Sequence, residues 1–196
     1  MCAEDWSPSG DFLFMSSTLI IWDWNRTLFN PETKMLYLDA LVVLEALHAA
    51  GCVQVLVSKC EASGIEDIRR LVPSKIFVKA SIISKKTLWT FLKLAIRYRR
   101  SKHYVIGDRV RGEILYGNVS GCKTVWIRQG KFSDQIPRWF LERPDVAIAN
   151  LTDVLPLFFG PDSILQEESD TSNNPREASD YHGSHSASHS SSGTGS

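Results

Sequence analysis

The hydrophobic positions of this chain fall into short β-branched runs that alternate with longer segments of helical periodicity. A short run rich in Val, Ile and aromatic residues predicts a strand, whereas apolar residues three or four positions apart predict one face of a helix. Strands are predicted at residues 19–24, 53–58, 75–78, 103–107 and 123–128, and helices at 38–50, 64–71, 86–100 and 110–116.

This alternation predicts an α/β fold with a parallel sheet, because consecutive parallel strands are joined by right-handed crossovers through a helix. Ligands of such sheets bind at the carboxyl ends of the strands. The residues that follow each predicted strand are therefore the first candidates for a functional site.

Composition divides the chain into three segments. Residues 17–160 carry the predicted elements, residues 1–16 form an N-terminal extension, and residues 161–196 contain eleven serines and few aliphatic residues. The last segment has too little apolar surface to offset the entropy lost on ordering it, so a disordered tail is predicted.

The formal net charge of zero hides an uneven distribution, since residues 1–160 carry +5 and the tail carries −5. Between Lys59 and Arg111 the basic residues outnumber the acidic ones by ten, which favours a phosphate-bearing partner. No apolar run approaches the ~20 residues that cross a bilayer, so no membrane partner is expected. Four cysteines without CxxC spacing are typical of reduced thiols, and a cytoplasmic protein is predicted.

Polar residues that could act together stand at the ends of three of the predicted strands or at the start of a predicted helix. They are Asp23, Ser58, Lys59, Lys85, Lys86 and Asp108. Carboxylates hold Mg²⁺ together with phosphate oxygens, while a lysine and a hydroxyl orient the remaining oxygens. A carboxylate can also attack phosphorus directly. The sequence therefore predicts one site for a divalent cation and a phosphoryl group.

The order of these residues resembles that of the haloacid dehalogenase superfamily of phosphohydrolases, and the resemblance covers residues 19–158. The segment IIWDWNRTLF is similar to the first motif, with Asp23 as the nucleophile and Thr27 as the threonine four places later. Residues 25–37 would form the squiggle and flap, and Ser58 in VLVSK would be the phosphate-binding hydroxyl of the second motif. The resemblance implies a Rossmann-like three-layer sandwich with a mostly parallel sheet.

The third and fourth motifs have counterparts in the second half of the domain. Lys85 matches the lysine of the third motif, and Lys86 is the alternative one place later. The segment VIGDRVRGEI is similar to the fourth motif, with Asp108 as the metal ligand and Glu113 where a second acidic residue usually stands.

The resemblance also implies Mg²⁺ as the cofactor. Its ligands would be Asp23, Asp108, Glu113 and the backbone carbonyl of Asn25. Lys59 and Arg109 flank the second and fourth motifs, so we expect them to contact a phosphorylated substrate together with Thr27, Ser58 and Lys86.

One position departs from the family pattern. Asn25 stands where phosphatases of the superfamily carry a second aspartate, which donates and accepts the catalytic proton. An amide has no titratable proton, and loss of a positioned acid or base costs about 10²–10⁴-fold in rate. The sequence therefore predicts a magnesium-dependent phosphatase that forms an aspartyl-phosphate on Asp23 and turns over slowly. The alternative is a catalytically impaired binding or regulatory module with the same fold.

The intervals from Asp23 to Ser58 and from Ser58 to Lys85 are too short for an inserted cap domain, which indicates a capless or minimal-cap member with an open site. Capless members of the superfamily act on macromolecules or close their sites by oligomerising. The substrate is thus expected to be a phosphorylated small molecule or macromolecule. Nucleic acid stays open as a partner because Arg109 and Arg111 border the site, whereas the basic residues at 97–102 are typical of an exposed helix end.

Overall fold

The computed structural model describes residues 18–59, 62–82, 86–99 and 101–160. All of them lie within one of the two units into which the chain divides, Met1–Ser163. The predicted N-terminal extension and the predicted disordered tail fall outside the described residues, so the segment boundaries at 16 and 160 stay predictions.

The described residues contain eight strands. They are β1 (Thr18–Trp22), β2 (Phe29–Asn30), β3 (Met35–Leu36), β4 (Val53–Ser58), β5 (Lys79–Ile82), β6 (Lys102–Gly107), β7 (Lys123–Ile127) and β8 (Val146–Ile148). Six of these form one sheet in the order β5-β4-β1-β6-β7-β8, and every pairing in it is parallel. Strands β2 and β3 pair with each other as a short antiparallel hairpin in the predicted flap region.

The helices connect the strands in the predicted alternation. They are α1 (Ala40–Ala49), α2 (Ala62–Leu71), α3 (Leu88–Arg97), α4 (Leu115–Val119) and α5 (Pro156–Phe159). A π-helical turn at Val110–Ile114 precedes α4. None of the helices in the described residues is long and apolar enough to cross a membrane.

Alternate residues of β1 pack into two separate hydrophobic clusters, because successive strand side chains point to opposite faces of a sheet. Ile20 and Trp22 lie in one cluster with the buried residues of α1, whereas Leu19 and Ile21 lie in the second cluster with Phe91 of α3. All four strand residues are inaccessible to solvent. A parallel sheet buried on both faces by helices is the predicted Rossmann-like three-layer sandwich, which the structure confirms.

The prediction of a strand at 75–78 is wrong. The strand of this region is β5, which begins at Lys79, and the preceding residues form a turn in which the Ile76 amide donates to the Pro73 carbonyl at 3.0 Å. Ile76 and Phe77 are buried in the core from this turn. A short apolar run indicates that its side chains are buried, but the side chains of a strand and those of a turn packed under a sheet edge can both be buried.

The predicted helix at 110–116 is correct in place but not in form. Its first residues make the π-helical turn, in which Arg111 has the non-helical angles φ −89° and ψ 24°, and α4 continues to Val119. Hydrophobic periodicity does not distinguish a π turn from an α turn, since both bury the same apolar positions over so short a segment.

Candidate active site

Three neighbouring strands of the sheet end at the candidate residues. Asp23 directly follows β1, Ser58 is the last residue of β4, and Asp108 directly follows β6. Strand β1 lies between the other two, and the Asp23 amide donates to the carbonyl of Ile106 in β6 at 3.0 Å. The sheet order therefore brings all three residues to the carboxyl edge, where parallel α/β sheets bind ligands.

Asp23, Asp108 and Glu113 form a buried acidic cluster at this edge. One carboxylate oxygen from each residue lies within 4.8 Å of the others, and the three residues are between 0% and 3% exposed. The π-helical turn carries Glu113 back over the end of β6, where it packs on Gly107. A Cβ atom on Gly107 would stand only 2.8 Å from the Cβ of Glu113, so the close approach requires glycine.

Lys86 enters the cluster from the start of α3. Its Nζ donates to Asp23 Oδ1 and, at 2.7 Å, to Glu113 Oε1. One ammonium group thus bridges two of the three carboxylates. Lys85, the first choice for the lysine of the third motif, lies outside the described residues, and its assigned role stays a prediction.

Burial sets the electrostatics of these groups. It raises the pKa of the Asp23 carboxyl above its usual value; the Lys86 ammonium partly offsets this, and repulsion from Asp108 adds to it. Burial likewise raises the pKa values of Asp108 and Glu113, and each is raised further by a neighbouring carboxylate. Burial alone would lower the pKa of Lys86, but Asp23 and Glu113 together raise it. The cluster therefore favours an added cation.

A second internal cation, Arg26, reaches the cluster from the loop after β1. Its Nε lies 2.8 Å from Asp108 Oδ2. The residue adopts the left-handed conformation, with φ 64°, which is uncommon for a residue other than glycine. Gln129 holds this loop, since its Nε2 donates to the carbonyls of Arg26 and Thr27 at 2.7 and 2.9 Å.

The remaining predicted residues of the first two motifs lie around Asp23. Thr27 is fully buried and its hydroxyl donates to Asp23 Oδ2 at 3.3 Å. Ser58 is also fully buried, and its hydroxyl has no hydrogen-bond partner among the described residues. Asn25 Nδ2 donates to the carbonyl of Lys59 at 3.1 Å, which ties the first motif to the end of β4.

A cavity of about 460 Å³ opens beside the cluster and contains most of the predicted site residues. Its lining includes Asp23, Asn25, Lys59, Lys86, Arg109 and Glu113. Arg26 and Arg111 also line this cavity. Thr27, Ser58 and Asp108 stand behind these residues rather than in the lining, so Thr27 is placed to position Asp23 from within the protein.

The acidic cluster fits a hard divalent cation. Asp108 Oδ1 and Glu113 Oε2 are buried and have no hydrogen-bond partner among the residues that the structure describes. Each such carboxylate oxygen is costly to bury without a donor or a cation. Mg²⁺ binds oxygen ligands, and in proteins it is held by carboxylates, while waters and phosphate oxygens complete its coordination.

Sequence reasoning missed Arg26, Gln129 and Phe132 as residues of this region. Gln129 stands two positions after the end of β7, so the strand-end rule applied to that strand would have indicated it. Arg26 lies inside the first motif, but nothing in the sequence indicates its pairing with Asp108, 82 positions away. Phe132, whose ring centroid lies 4.8 Å from the Arg26 guanidinium, is in a short 3-10 turn, Gly130–Phe132, which has no periodic pattern.

Comparison with known proteins agrees with this arrangement. A model of the family described as HAD-hydrolase-like matches residues 83–154, a segment that contains Lys86, Asp108 and Glu113. No curated protein matches the sequence.

Several solved structures share the fold. The chain is similar to a candidate haloacid dehalogenase-like hydrolase from Burkholderia xenovorans LB400, with a TM-score of 0.60 and 12% identity over 74% of this chain and 97% of that one. It is also similar to D,D-heptose 1,7-bisphosphate phosphatase from B. bronchiseptica complexed with magnesium and phosphate, with a TM-score of 0.58 and 14% identity over 71% of this chain and 97% of that one.

A third similar structure is the core domain of a candidate phosphoglycolate phosphatase from Streptococcus pneumoniae TIGR4, with a TM-score of 0.50 and 18% identity over 74% of this chain and 96% of that one. Identities this low show a shared fold and leave substrate open. The family model and the shared fold nevertheless agree on the same superfamily. The chain has the fold of the haloacid dehalogenase superfamily, and its resemblance to that superfamily of hydrolases is confirmed.

Proposed function

We propose that this protein is a magnesium-dependent phosphohydrolase in which Asp23 is the nucleophile. The observation that carries the proposal is the position of Asp23, which follows the central strand, contacts Lys86 and lies within the cluster formed with Asp108 and Glu113. The magnesium and phosphate complex of the similar heptose bisphosphate phosphatase supports the same chemistry for this fold.

The cation would be held by Asp23, Asp108, Glu113 and the backbone carbonyl of Asn25. Bound Mg²⁺ would neutralise charge on the phosphoryl oxygens and orient them for attack. It would also relieve the repulsion among three carboxylates whose pKa values are raised by burial.

Lys86 lines the cavity and is the residue best placed to hold the phosphoryl group, while Ser58 would contact it from behind the lining. Lys86 contacts Asp23 directly, so its ammonium can neutralise an oxygen of a phosphate attacked by that carboxylate. Ser58 is the last residue of the neighbouring strand β4, and its hydroxyl has no hydrogen-bond partner among the described residues. A phosphate oxygen would accept a hydrogen bond from it. Lys59 and Arg109 line the same cavity and would contact the rest of the substrate.

In the first step, a carboxylate oxygen of Asp23 attacks phosphorus. The new oxygen–phosphorus bond forms an aspartyl-phosphate, and the bond from phosphorus to the ester oxygen breaks. Thr27, hydrogen-bonded to the other carboxylate oxygen, orients the attacking group. In the second step, water attacks the same phosphorus, inorganic phosphate leaves, and the carboxylate of Asp23 is restored.

Asn25 limits both steps. Its amide cannot give a proton to the departing alcohol or take one from water, so these protons must come from and go to solvent. We therefore propose a slow enzyme that favours substrates with good leaving groups. The free thiols of Cys52 and Cys122 fit a reducing compartment, and we place the protein in the cytoplasm.

The test is magnesium-dependent release of phosphate from para-nitrophenyl phosphate. Wild type should be active, Asp23→Asn inactive, and Asn25→Asp faster by about 10²–10⁴-fold because the missing acid and base is restored. Asn25→Ala controls for the loss of the hydrogen bond to Lys59. Full activity of Asp23→Asn would show that another group attacks phosphorus.

One observation favours a second function, that of a phosphate-binding module without turnover. The Asn25 amide donates to the carbonyl of Lys59, a structural bond that an ionised carboxylate could not make. In this case wild type should bind inorganic phosphate with Mg²⁺ but release none from any ester, and Asn25→Asp should gain activity that wild type lacks. Efficient turnover by wild type rules out this second function.

A further inference from the structure

Two arginines from distant parts of the chain meet on one aromatic ring at the cavity. The Arg26 guanidinium lies 4.8 Å from the centroid of the Phe132 ring, and that of Arg109 lies 5.1 Å from the same centroid. Cation–π attraction offsets part of the repulsion between two like charges brought this close. Both arginines line the cavity of about 460 Å³, so the pair forms one cationic surface beside the phosphoryl site.

The backbone fixes the position of this pair. Arg26 has φ 64°, and its loop is closed by a bond from the Arg26 amide to the Phe29 carbonyl at 2.7 Å and by the bonds from Gln129. Gly130, beside this loop, has φ 62°, a conformation that favours glycine, and a Cβ on it would make an ordinary contact with Arg26, 3.6 Å from two of its side-chain atoms. A strained backbone conformation kept by surrounding contacts is common at binding sites.

Cationic side chains outnumber anionic ones in the lining of the cavity, by more than one phosphoryl group requires. Arg26, Lys59, Lys86, Arg109 and Arg111 line it, against the carboxylates of Asp23 and Glu113. The charges of a bound phosphate dianion and a bound Mg²⁺ cancel, so the excess of cationic side chains is the same when both ligands are present. Counting the buried carboxylate behind the lining, at Asp108, leaves the cations in excess as well.

Arg26 and Arg109 are the two cavity cations that lie together, because both contact the Phe132 ring. Of the others, Arg111 lies 3.6 Å from Glu142, and Lys59 lines the cavity apart from this ring. Lys86 is paired with Asp23 and Glu113. Arg109 has no carboxylate partner among the described residues, and its contact is with the Phe132 ring. Arg26 is paired with Asp108 through its Nε, and the same guanidinium lies over the Phe132 ring at the cavity.

We propose that Arg26 and Arg109, held by Phe132, form a second anion site, and that the substrate is a phosphate ester carrying a second phosphate group. This inference rests on the proposed function, in which the first phosphate is attacked by Asp23. Guanidinium groups suit the role because their fixed N–H donors pair with phosphate oxygens. The second phosphate is supplied either by a small bisphosphate or by the next phosphate along a nucleic acid strand.

The experiment measures binding to the full-length Asp23→Asn protein by calorimetry, with Mg²⁺ and at constant ionic strength. Two matched pairs of probes are used: fructose 6-phosphate with fructose 1,6-bisphosphate, and thymidine 5′-monophosphate with the 5′-phosphorylated thymidine dinucleotide, which adds one internucleotide phosphate. In at least one pair, the member with the added phosphate should bind about tenfold tighter, the scale of a charge-assisted hydrogen bond.

The Arg109→Ala change in the same background should remove this preference. Arg128→Ala is the matched control, because Arg128 also lies over an aromatic ring, that of Trp126 at 5.3 Å, but does not line the cavity. The pair that shows the preference identifies the source of the second phosphate. The inference is overturned if neither pair shows a preference, or if Arg128→Ala removes it as fully as Arg109→Ala does.

Kinetics of the protein with Asp23 intact separate this inference from the proposed function. If no ester is hydrolysed while the preference still depends on Arg109, the second anion site stands and the hydrolase proposal fails. If hydrolysis depends on Asp23 but kcat/KM is equal within each pair and unchanged by Arg109→Ala, the hydrolase stands and the second anion site is overturned.

Discussion

Arg26 Nε lies 2.8 Å from Oδ2 of Asp108, a carboxylate that is completely buried. The other oxygen of this carboxylate, Oδ1, has no hydrogen-bond partner among the described residues. Asp108 is therefore half satisfied by an internal cation and half available to an external one. A divalent metal that binds Asp108 must compete with the guanidinium for its charge.

The first prediction concerns this competition. Arg26→Gly removes the guanidinium and keeps a residue that adopts φ 64° without strain, so affinity for Mg²⁺ should increase. We expect the dissociation constant to fall by about tenfold, the scale of one charge-assisted contact. Calorimetric titration with Mg²⁺ measures it, with Arg128→Ala as a control that removes an equal charge elsewhere. Unchanged or weaker Mg²⁺ binding by Arg26→Gly would show that the guanidinium does not compete with the metal for Asp108.

The second prediction concerns the contact between Gly107 and Glu113. A Cβ on Gly107 would lie 2.8 Å from the Cβ of Glu113, so Gly107→Ala must push the π-helical turn away from the strand end. Overpacking of this kind costs about 1–3 kcal/mol, and the displaced Glu113 should also weaken Mg²⁺ binding.

Urea unfolding and Mg²⁺ titration measure both effects of Gly107→Ala. The control is Gly51→Ala: Gly51 has φ 75° but nothing within 4 Å of its would-be Cβ, so this change should lower stability and leave Mg²⁺ affinity alone. Equal Mg²⁺ affinity in Gly107→Ala and wild type would show that the close approach does not set the geometry of the site.

The third prediction concerns pH. Burial and mutual repulsion raise the pKa values of Asp23, Asp108 and Glu113 in the folded, metal-free protein. Above the ordinary carboxyl pKa of about 4, the folded state therefore binds more protons than the unfolded state, and these groups contribute less stability as pH rises. Glu113→Gln removes one of the three acids, so its stability should fall less than that of wild type over the same range.

Urea unfolding in EDTA from about pH 5 to about pH 8 measures this difference. Mg²⁺ should reverse the loss in wild type, since a ligand that binds only the folded state stabilises it. The gain from Mg²⁺ should be smaller in Glu113→Gln. Parallel stability curves for the two proteins in EDTA would mean that the cluster is not a source of repulsion.

The fourth prediction concerns Lys86. Lys86→Ala leaves the buried carboxylates of Asp23 and Glu113 without their shared cation, and removal of one partner of a buried ion pair costs about 3–5 kcal/mol. Lys86→Arg keeps the charge and should lose less stability, while both changes should lower hydrolysis of para-nitrophenyl phosphate. Mg²⁺ should restore part of the stability of Lys86→Ala but not its activity. Full activity of Lys86→Ala would exclude Lys86 from phosphate binding.

The sheet and three of its strand ends could be predicted from sequence. Strands of β-branched residues alternating with amphipathic segments require parallel pairing, and this alone places Asp23, Ser58 and Asp108 along one edge. The strand at 75–78 was predicted wrongly because Ile76 and Phe77 are buried from a turn, and a short apolar run does not show which backbone conformation buries it.

Local sequence patterns were thus enough to indicate which residues stand at the carboxyl edge of the sheet, since the strands and their ends follow from those patterns. The order of the strands, which places Asp23 between Ser58 and Asp108, comes from the fold. Which charged side chains contact each other at that edge depends on packing between distant parts of the chain. The pairing of Arg26 with Asp108 joins residues 82 positions apart, and that of Lys86 with Asp23 joins residues 63 positions apart. A charge buried in a packed interior needs a partner because it has lost its water, and which partner lies within reach depends on how distant segments pack. No single segment of the chain specifies that packing.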